Sequence, residues 1–387
     1  MEHIILEAQD PNRIDFELAG LTACLNQLTD SRKRRGKVYP LGVVLTLIFL
    51  AKLAGEDKPS GIAQWIRLRC DAFVRLFNLK HQRMPCLNTI RGILQEVISL
   101  EELEKKVNQY LFTTYGGGQS QLIAMDGKTM RGTIPKGGQQ GIHLLTAYLP
   151  EEGVVLKQVE VSAATNEITT APKLMQALDL KRKVVCGDAM QTQRDLSVEV
   201  LAAGGDYIWF LKENQPTVRA DVEQFFNSPR VSAGWHRPSI ARTTSRQINK
   251  GHGRLERRSL TLLADEEEFL DWPGVRQVFQ LERKVIHLRT GKTTTDVVYG
   301  ITSCEAHKAS ARQMLTWTRQ YWGIENGLHY RRDVTLREDA TRISHPRLAK
   351  AMAIINNFIV TLSQKLGYAN LAEARRIFDA KIAAQLV

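Results

Sequence analysis

The strongest constraint on the fold is a change in hydrophobic period at Gly116-Gly117-Gly118. Before these glycines, apolar residues recur at the three- and four-residue spacing of helices, and after them short apolar runs alternate with helical segments. The second part predicts five strands and two helices in the order β-β-β-α-β-α-β. The predicted strands are residues 121–125, 141–149, 154–161, 183–186 and 207–211, and the predicted helices are residues 169–180 and 193–203.

This order predicts an α/β fold with a mixed sheet. The alternating half requires parallel strands joined by helical crossovers, and a three-strand meander followed by such alternation is typical of a ribonuclease-H-like core. Residues 1–115 predict a helical N-terminal domain with a buried helix at 41–51, and residues 116–387 predict the α/β domain. The second domain has a β-rich insertion at about 216–305, a helix at 307–330 and a helical tail. The strands predicted within the insertion are residues 259–263, 275–284 and 296–301.

The charge balance favours a polyanionic partner. Lys and Arg total 53 against 41 Asp and Glu, a formal net charge of +12, and nucleic acid is the commonest partner of such a chain. The longest apolar run, residues 41–51, is shorter than the roughly 18 residues that span a bilayer, so no membrane association is expected. The five cysteines have no CxxC spacing, which argues against a disulfide framework or a structural zinc site. Since the N-terminus carries no secretion signal, we expect a cytoplasmic protein.

Three carboxylates occupy positions that favour metal chemistry. Asp126 follows the first predicted strand, Asp188 follows the fourth, and Glu325 lies on a predicted helix face shared with Trp322, His329 and Arg332. Ligands of parallel sheets bind at the carboxyl ends of strands, and Mg²⁺ prefers oxygen ligands with a partial water shell. Two such ions about 4 Å apart can activate a nucleophile and stabilise a leaving oxygen in phosphoryl transfer.

Structural roles are the alternatives for the same carboxylates. Each aspartate alone also fits an Asx-turn or a helix cap, and the glutamate also fits a ladder of salt bridges on a surface helix. Three further acids are alternative third ligands, ranked below Glu325: Asp333, Glu338 and Asp339.

Five segments together carry a resemblance to a known family. They are residues 125–132 (MDGKTMRG), 187–193 (GDAMQTQ), 212–216 (KENQP), 252–258 (HGRLERR) and 321–339 around Glu325. Over nearly its whole length the chain resembles DDE-type insertion-sequence transposases, and more narrowly the ISAs-type group that includes the H-repeat-associated proteins. A Tyr-Arg-Glu-Lys pattern of the broader class is retained only at Glu325, since its other positions hold Thr318, Tyr321 and Arg332.

The resemblance implies a function and a set of partners. It implies a ribonuclease-H-like core in which Asp126, Asp188 and Glu325 bind two Mg²⁺ ions, with Mn²⁺ as a substitute. Metal-activated water would cleave element ends, and a 3′-hydroxyl would then attack target DNA. The implied partner is double-stranded DNA (terminal inverted repeats and target), bound by a homodimer on paired ends, with the N-terminal domain contacting the ends. The implied location is the nucleoid of a prokaryotic cytoplasm.

Further residues are candidates for DNA contact. They are Lys128, Arg131, Lys212, Asn214, Gln215, His252, Arg254, Arg257, Arg319, His329 and Arg332. The first two could hold a scissile phosphate or form a neutralising ion pair. Asn214 and Gln215 could hydrogen-bond either DNA or capped backbone, and His329 could orient Glu325, contact a phosphate or simply pack. Trp235 and Trp272 could stack a displaced base or belong to the core.

Two other functions remain open from the sequence alone. The first is a nuclease of repair or recombination on the same core, which would cut DNA without joining it. The second is a DNA-binding protein whose catalytic site has decayed. The intact set of Asp126, Asp188 and Glu325 argues against the second, and the large basic insertion with its N-terminal domain favours a transposase over a minimal nuclease.

Overall fold

The computed structural model describes residues 18–227, 242–264 and 269–385, without the side chains of residues 383–385. Trp235 and the first part of the basic segment at 230–258 therefore lie outside the described residues. Twelve α-helices are described, α1 to α12 in chain order: Leu18–Leu25, Leu41–Leu53, Pro59–Leu68, Cys70–Leu76, Leu87–Gly92, Leu100–Tyr115, Glu167–Gln176, Arg194–Ala202, Pro216–Asn227, Ala311–Tyr321, Pro346–Lys365 and Leu371–Gln385.

A nine-stranded mixed sheet organises the described part of the chain, in the order β3-β2-β1-β4-β5-β9-β8-β7-β6. Strands β1, β4 and β5 are parallel, β2 and β3 pair antiparallel beside β1, and β9 pairs antiparallel with β5. The strands β1 to β9 are Leu122–Met130, Ile142–Leu149, Val154–Val161, Val184–Gly187, Asp206–Leu211, Arg242–Gly251, Arg254–Ala264, Gln277–His287 and Thr293–Thr302. An α/β fold with a mixed sheet, as predicted, is confirmed.

The first five predicted strands are all present, with one informative difference. Strand β1 continues to Met130 instead of ending at Met125. Its parallel pairing with β4 ends at Met125, whereas its antiparallel pairing with β2 runs on to Met130. The strand outlasts the apolar run because β2 still supplies hydrogen-bond partners there. Helix α7 also begins earlier than predicted, since Asn166 caps it in place of Thr169.

The insertion extends the same sheet instead of forming a separate layer. Strands β7, β8 and β9 were predicted, whereas β6 and α9 were missed. Strand β6 is mostly exposed and polar, so it lacks the apolar alternation on which strand prediction depends. It joins β7 through a two-residue turn, His252-Gly253, whose φ values of 49° and 69° match the favoured twist of such hairpins.

Helices cover both faces of the sheet. One face carries Leu122, Ala124 and Phe279 and shares a core with α2, α6, α10 and α11. The other face carries Ile123 and Trp209 and packs against α7, α8 and α9. The N-terminal helices and α11 thus share one apolar core on the face toward which even-numbered β1 residues point.

Helix α2 is the buried helix predicted at 41–51, and all its residues are buried. Within the described residues, the segment Arg34–Leu53 has the length and apolar composition that could span a membrane, with a mean hydropathy of 1.6. It lies near the N-terminus, and 78% of it is buried inside the protein. A core helix of a soluble domain passes the same test, so this segment is weak evidence for a membrane span.

The predicted helix at 307–330 is regular only over α10. After Tyr321 the backbone enters two π-helical segments, Ile324–His329 and Arg331–Thr335. The expected single face of Trp322, Glu325, His329 and Arg332 is wrong, because the wider turns change the angular spacing of these side chains. Trp322 and Glu325 are exposed, whereas His329 and Arg332 are buried. Wider turns of this kind occur frequently at functional sites.

Candidate active site

Asp126 and Asp188 lie side by side on neighbouring parallel strands. Met125 of β1 is the register partner of Gly187 of β4, and each aspartate is the next residue. Neighbouring strands are about 4.8 Å apart, so the two carboxyl groups start from adjacent backbone positions. The prediction that these aspartates share one sheet edge is confirmed in its geometry.

The turn after β4 holds the Asp188 side chain. Asp188 caps the 3-10 helix Ala189–Gln191 by accepting from the backbone N–H groups of Met190 at 2.9 Å and Gln191 at 3.4 Å. Asp188 therefore acts as a helix cap, which is the structural role that the sequence offered as an alternative to metal binding. A carboxylate has about four acceptor positions, so the cap leaves capacity for a cation.

Two amides predicted for DNA contact anchor this same turn. Asn214 Nδ2 donates to the carbonyl of Ala189 at 2.5 Å, and Gln215 Nε2 donates to that of Thr192 at 2.9 Å. Of the two sequence interpretations, hydrogen bonding to backbone is the one the structure shows. Both residues follow β5, so they connect the turn carrying Asp188 to the next parallel strand.

Glu325 approaches Asp126 from the π-helical segment above the sheet. His329 Nδ1 lies 3.4 Å from Asp126 Oδ2 and 3.4 Å from Glu325 Oε2. One ligand atom from each of these three residues falls within 4.8 Å of the others. The Glu325 side chain is 61% exposed and that of His329 only 4%, so the imidazole forms the floor of the cluster and Glu325 its open side.

The electrostatics of this cluster favour a bound cation. Burial, helped by the charges of Glu167, Asp188 and Glu325, raises the pKa of Asp126 to about 7, although a hydrogen bond from the Gly127 N–H opposes the shift. His329 hydrogen-bonds Glu325 and lowers the pKa of that carboxyl, whereas burial lowers the pKa of His329 itself. Carboxylates gathered in this way repel one another until a positive charge is added.

The donor set fits a hard divalent ion. Carboxylate oxygens are the ligands that Mg²⁺ and Mn²⁺ prefer, and Asp126 and Glu325 face the same small space. His329 Nε2 is buried without a hydrogen-bond partner in the described residues, so the ring is held through Nδ1 between the two carboxylates. Asp126, Glu325 and His329 therefore form a group that could hold a divalent ion, with Asp188 at the adjacent strand end.

The comparisons with known proteins give the family. The family described as "Transposase DDE domain" matches residues 117–362, more than half of the chain. The chain belongs to the DDE transposase family. A second family, described as "DDE_Tnp_1-associated", matches residues 22–111 of the transposase. Membership of the DDE family implies dependence on a divalent metal ion and binding to DNA.

Two curated relatives cover most of both chains. "Putative transposase YncI" of Escherichia coli O157:H7 is 29% identical over 337 residues, which are 85% of this chain and 84% of that protein. "H repeat-associated putative transposase YhhI" of Escherichia coli K12 is 26% identical over 354 residues, 90% and 91% of the two chains. The predicted resemblance to the H-repeat-associated group is confirmed. The solved piggyBac transposase synaptic complex with hairpin DNA aligns with a TM-score of 0.43 and 10% identity, covering 99% of this chain and 80% of that one.

The alternative third ligands of the transposase are engaged elsewhere. Both carboxylate oxygens of Glu338 bind the Arg332 guanidinium, at 2.8 and 3.0 Å, and the Glu338 side chain is 5% exposed. Asp333 pairs with Lys128 at 2.5 Å, and Asp339 lies near the Gly132 N–H at 3.4 Å. None of these three acids belongs to the cluster around Asp126.

Two predicted DNA contacts of the transposase are affected by this pairing. Arg332 is fully buried and also donates to Asn357, so the prediction of an Arg332 contact with DNA is wrong. Lys128 is 7% exposed and neutralises Asp333, which is the ion-pair alternative. His329 is buried and its Nδ1 lies 3.4 Å from Glu325, a geometry consistent with the first of its predicted roles, which stays a prediction.

The remaining predicted cations are exposed but spread over the molecule. Arg131 follows β1 and Lys212 follows β5, both at the edge that carries the aspartates. Arg319 donates to Asn249 at 3.3 Å, which ties α10 to β6. His252, Arg254 and Arg257 lie on the β6–β7 hairpin.

The alternation of β7 separates two of these arginines. Leu260 and Leu262 face the core on the α10 side of the sheet, whereas Leu263 faces the opposite core. Arg254 therefore points to the α10 side and Arg257 to the other, so the two arginines lie on opposite faces of the sheet. Trp272 is 5% exposed and donates to Ser197 at 3.0 Å, which is the predicted core role.

Sequence reasoning missed a fourth acid beside the site. The charge of Glu167 on α7 raises the pKa of Asp126 more than the charge of Asp188 or of Glu325 does. Its sequence context, Asn166-Glu167 after the third strand, reads as an ordinary helix start. No spacing signal separates it from a first-turn acid that favours the helix dipole, so only the folded geometry identifies it.

Proposed function

We propose that this transposase uses Mg²⁺ to cleave DNA at insertion-sequence ends and to join the freed 3′ ends to target DNA. The proposal rests on one observation: Asp126 and Glu325 face one small space, Asp188 follows the neighbouring parallel strand at the level of Asp126, and no Lys or Arg pairs with any of the three in the described residues. The order β3-β2-β1-β4-β5, three meander strands followed by parallel ones, supports a ribonuclease-H-like core for this chemistry.

Each residue of the site has a role that its position supports. Asp126 and Glu325 would hold the metal, with Asp188 contributing from the adjacent strand. When bound, divalent ions activate water and stabilise the leaving oxygen in phosphoryl transfer. His329 holds the Glu325 carboxylate toward Asp126, and Lys128 holds Asp333 away from the cluster.

Cations at two places support a path for the DNA. Arg131 and Lys212 lie exposed just after β1 and β5, beyond the carboxyl ends of these strands, where they would contact phosphates flanking the scissile bond. A groove of about 620 Å³ between the N-terminal helices and the segment 341–348 is lined by Lys58, Arg91 and Arg342. This groove joins residues 1–115 to residues 116–387, so it supports a role of the N-terminal helices in holding the DNA end.

Five finer parts complete the proposal. The recognised sequences are the terminal inverted repeats, and the second substrate is target DNA. Two ends must be brought together, which requires a homodimer on paired ends. Mn²⁺ would substitute for Mg²⁺ because it takes the same oxygen ligands. The protein would act at the nucleoid in the cytoplasm of a prokaryote.

A strand-transfer assay tests the proposal. The full chain is incubated with labelled duplexes of the element ends, a target plasmid and Mg²⁺, and the products are separated on a denaturing gel. Joined product is expected from the wild-type chain and none from Asp188→Asn. Cleavage without joining would favour a nuclease, and binding without cleavage would favour a decayed DNA-binding protein. Full joining by Asp188→Asn would mean that the proposed metal site is wrong.

A further inference from the structure

A second polar network lies directly behind the two aspartates. His143 Nε2 and Glu167 Oε1 are 2.7 Å apart, and His143 Nδ1 is 2.7 Å from Thr129 Oγ1. The second oxygen of Glu167 accepts from Gln191 Nε2, also at 2.7 Å. The network therefore joins four elements at Glu167: β1 through Thr129, β2 through His143, the turn after β4 through Gln191, and the start of α7.

Glycines make room for this network. A Cβ atom on Gly127 would lie 2.0 Å from Glu167 Oε1, and one on Gly187 would lie 2.8 Å from Gln191 Cβ. Gly127 immediately follows Asp126, and Gly187 immediately precedes Asp188. The Glu167 and Gln191 side chains thus press against the backbone beside each aspartate, and they do so from the face of β1 opposite Glu325.

The link between Glu167 and Gln191 has an energetic cost that indicates its importance. Gln191 is 1% exposed, and its Oε1 has no hydrogen-bond partner in the described residues. An unpaired buried acceptor is unfavourable. The hydrogen bond that Nε2 donates to Glu167 therefore holds the amide in this orientation. A hydrogen bond to a charged acceptor is among the stronger ones.

The same turn holds Asp188. The backbone N–H of Gln191 donates to Asp188 Oδ1, so any movement of Gln191 moves the cap of that aspartate. Glu167 contacts β1 at Gly127 and the turn at Gln191. It is therefore the side chain that spans the two elements from which Asp126 and Asp188 project.

Glu167 is poorly placed to be a metal ligand itself. Both of its oxygens are already engaged, and its side chain is 14% exposed. No Lys or Arg pairs with it among the described residues, so its charge adds to the repulsion around Asp126. The two hydrogen-bond partners of this carboxylate instead favour a role in holding the neighbouring backbone in place.

We propose that Glu167 is a positioning residue that sets the separation of Asp126 and Asp188 by bonding Gln191 and His143. This inference rests on the proposed metal-dependent function and extends it to a residue outside the metal site. A carboxylate pair held at one separation selects for an ion of given size and coordination. Loss of the network should therefore weaken metal binding before it affects DNA binding.

The test compares two substitutions of Glu167 in the full chain. Glu167→Ala removes the link, whereas Glu167→Gln keeps the shape and an oxygen that accepts from Gln191. Binding of Mn²⁺ without DNA is followed by electron paramagnetic resonance, and end cleavage is measured against Mg²⁺ concentration. We expect Glu167→Ala to weaken Mn²⁺ binding at least about tenfold, to change the Mn²⁺ spectrum and to raise the Mg²⁺ concentration for half-maximal cleavage. Glu167→Gln should remain within about threefold of wild type in both assays.

Gln191→Ala provides a second route to the same link. It should cause a loss similar to that of Glu167→Ala, and the double variant should lose little more, because both substitutions remove one interaction. Glu160→Ala is the matched control, since Glu160 lies on β3 and pairs with Lys350 on the surface. Its Mn²⁺ binding should not change.

Two results would overturn the inference, and a third would overturn the function on which it rests. Equal losses in Glu167→Gln and Glu167→Ala would mean that Glu167 acts through its charge or as a ligand. Wild-type Mn²⁺ binding in Glu167→Ala and Gln191→Ala would mean that the network does not set the site. A wild-type chain that neither binds Mn²⁺ nor cuts DNA would overturn the proposed function itself, and it is recognised before any variant is compared.

Discussion

Two acidic clusters lie close together on the segment that follows α10, and their charges are handled in opposite ways. In the first, Glu325 meets Asp126 with only a buried, neutral-leaning histidine between them. In the second, Glu338 is fully enclosed and both its oxygens bind Arg332. The first cluster is left short of positive charge, and the second is neutralised within the fold.

The paired cluster continues into the N-terminal helices. Buried Lys52 of α2 pairs with Asp57 at 2.8 Å, and Asp57 also binds Arg375 of α12 at 2.9 Å. Burial lowers the pKa of Lys52, while Asp57 and, less strongly, Glu338 oppose that shift. Charges that are matched inside the fold hold elements together, whereas charges left unmatched at a strand edge are available for a ligand.

The largest expected effect is on catalysis by the cluster of Asp126, Glu325 and His329, called the unmatched cluster because no Lys or Arg pairs with it in the described residues. Asp126→Asn should lower joining on the order of 10⁴-fold, because metal assistance contributes several kcal/mol and about 1.4 kcal/mol corresponds to tenfold in rate. The measurement is the yield of joined product in the strand-transfer assay.

The fold of Asp126→Asn should survive this change. Removing one of several like charges relieves repulsion, so thermal unfolding in EDTA should occur at the wild-type temperature or above it. A marked drop in that temperature would mean that Asp126 is structural, and the contrast between the two clusters would fail.

The next largest effect is a loss of folding stability in the matched cluster, the buried pair of Glu338 and Arg332. Glu338→Ala leaves the Arg332 charge buried and unpaired, which should lower the free energy of unfolding by about 3–5 kcal/mol. Urea denaturation followed by circular dichroism measures it. Asp339→Ala is the control, because Asp339 makes one long contact with the Gly132 N–H and should cost well under about 1 kcal/mol.

The pH dependence of this effect has a defined sign. Contacts with Arg332 oppose the effect of burial and leave the pKa of Glu338 lowered. The stabilisation is therefore fully present above the ordinary glutamate pKa of about 4.3 and is lost as the pH falls through the lowered value. The gap between wild type and Glu338→Ala should close in acid. A gap that stays constant from about pH 7 to about pH 3 would contradict the ion-pair explanation.

The position of Asp126 and Asp188 at one sheet edge could be predicted from the sequence, whereas the pairing of Glu338 with Arg332 could not. Asp126 and Asp188 follow apolar runs that become neighbouring parallel strands, and this local pattern predicts one shared edge. Glu338 and Arg332 carry no such pattern. They are brought together where the π-helical turns change the spacing after Glu325. The sequence therefore predicts a DNA contact for Arg332, whereas in the structure its side chain lies in the core.

The same reasoning explains the misses in the fold. Strand β6 is paired by the hairpin at His252 and by β7, not by an apolar pattern of its own. From the sequence, Glu167 is interpreted as an acid at the start of a helix. Its contacts with β1 and with the turn after β4 appear only in the folded structure. In each case a tertiary contact, which no local period records, decides the role of the residue.

A smaller effect is the stabilisation of the unmatched cluster by its cation. Mg²⁺ or Mn²⁺ at about 100 times its dissociation constant should raise the free energy of unfolding of the wild-type chain by about 2.7 kcal/mol. Differential scanning fluorimetry with and without the ion measures it, and a buffer containing EDTA gives the baseline. Asp126→Asn should lose most of the shift, whereas Glu338→Gln should keep it. An equal shift in Asp126→Asn would place the ion elsewhere.

The smallest expected effect is the contribution of one exposed arginine to DNA binding. Arg257 is exposed on β7, so Arg257→Ala should weaken binding only severalfold. It should also lower the slope of log affinity against log salt by about 0.9 for each phosphate that the arginine neutralises in the wild-type complex. The change should be equal for element-end and unrelated duplexes, because phosphate contacts carry no sequence information.

Fluorescence anisotropy over a salt series measures both the affinity and the slope for Arg257→Ala. Lys181→Ala is the control, since Lys181 lies exposed before β4, at the sheet edge opposite the aspartates, and its slope should not change. An unchanged slope in Arg257→Ala would remove the Arg257 face of the β6–β7 hairpin from the DNA path. Arg131 and Lys212, which follow β1 and β5, would then be the next cations to test.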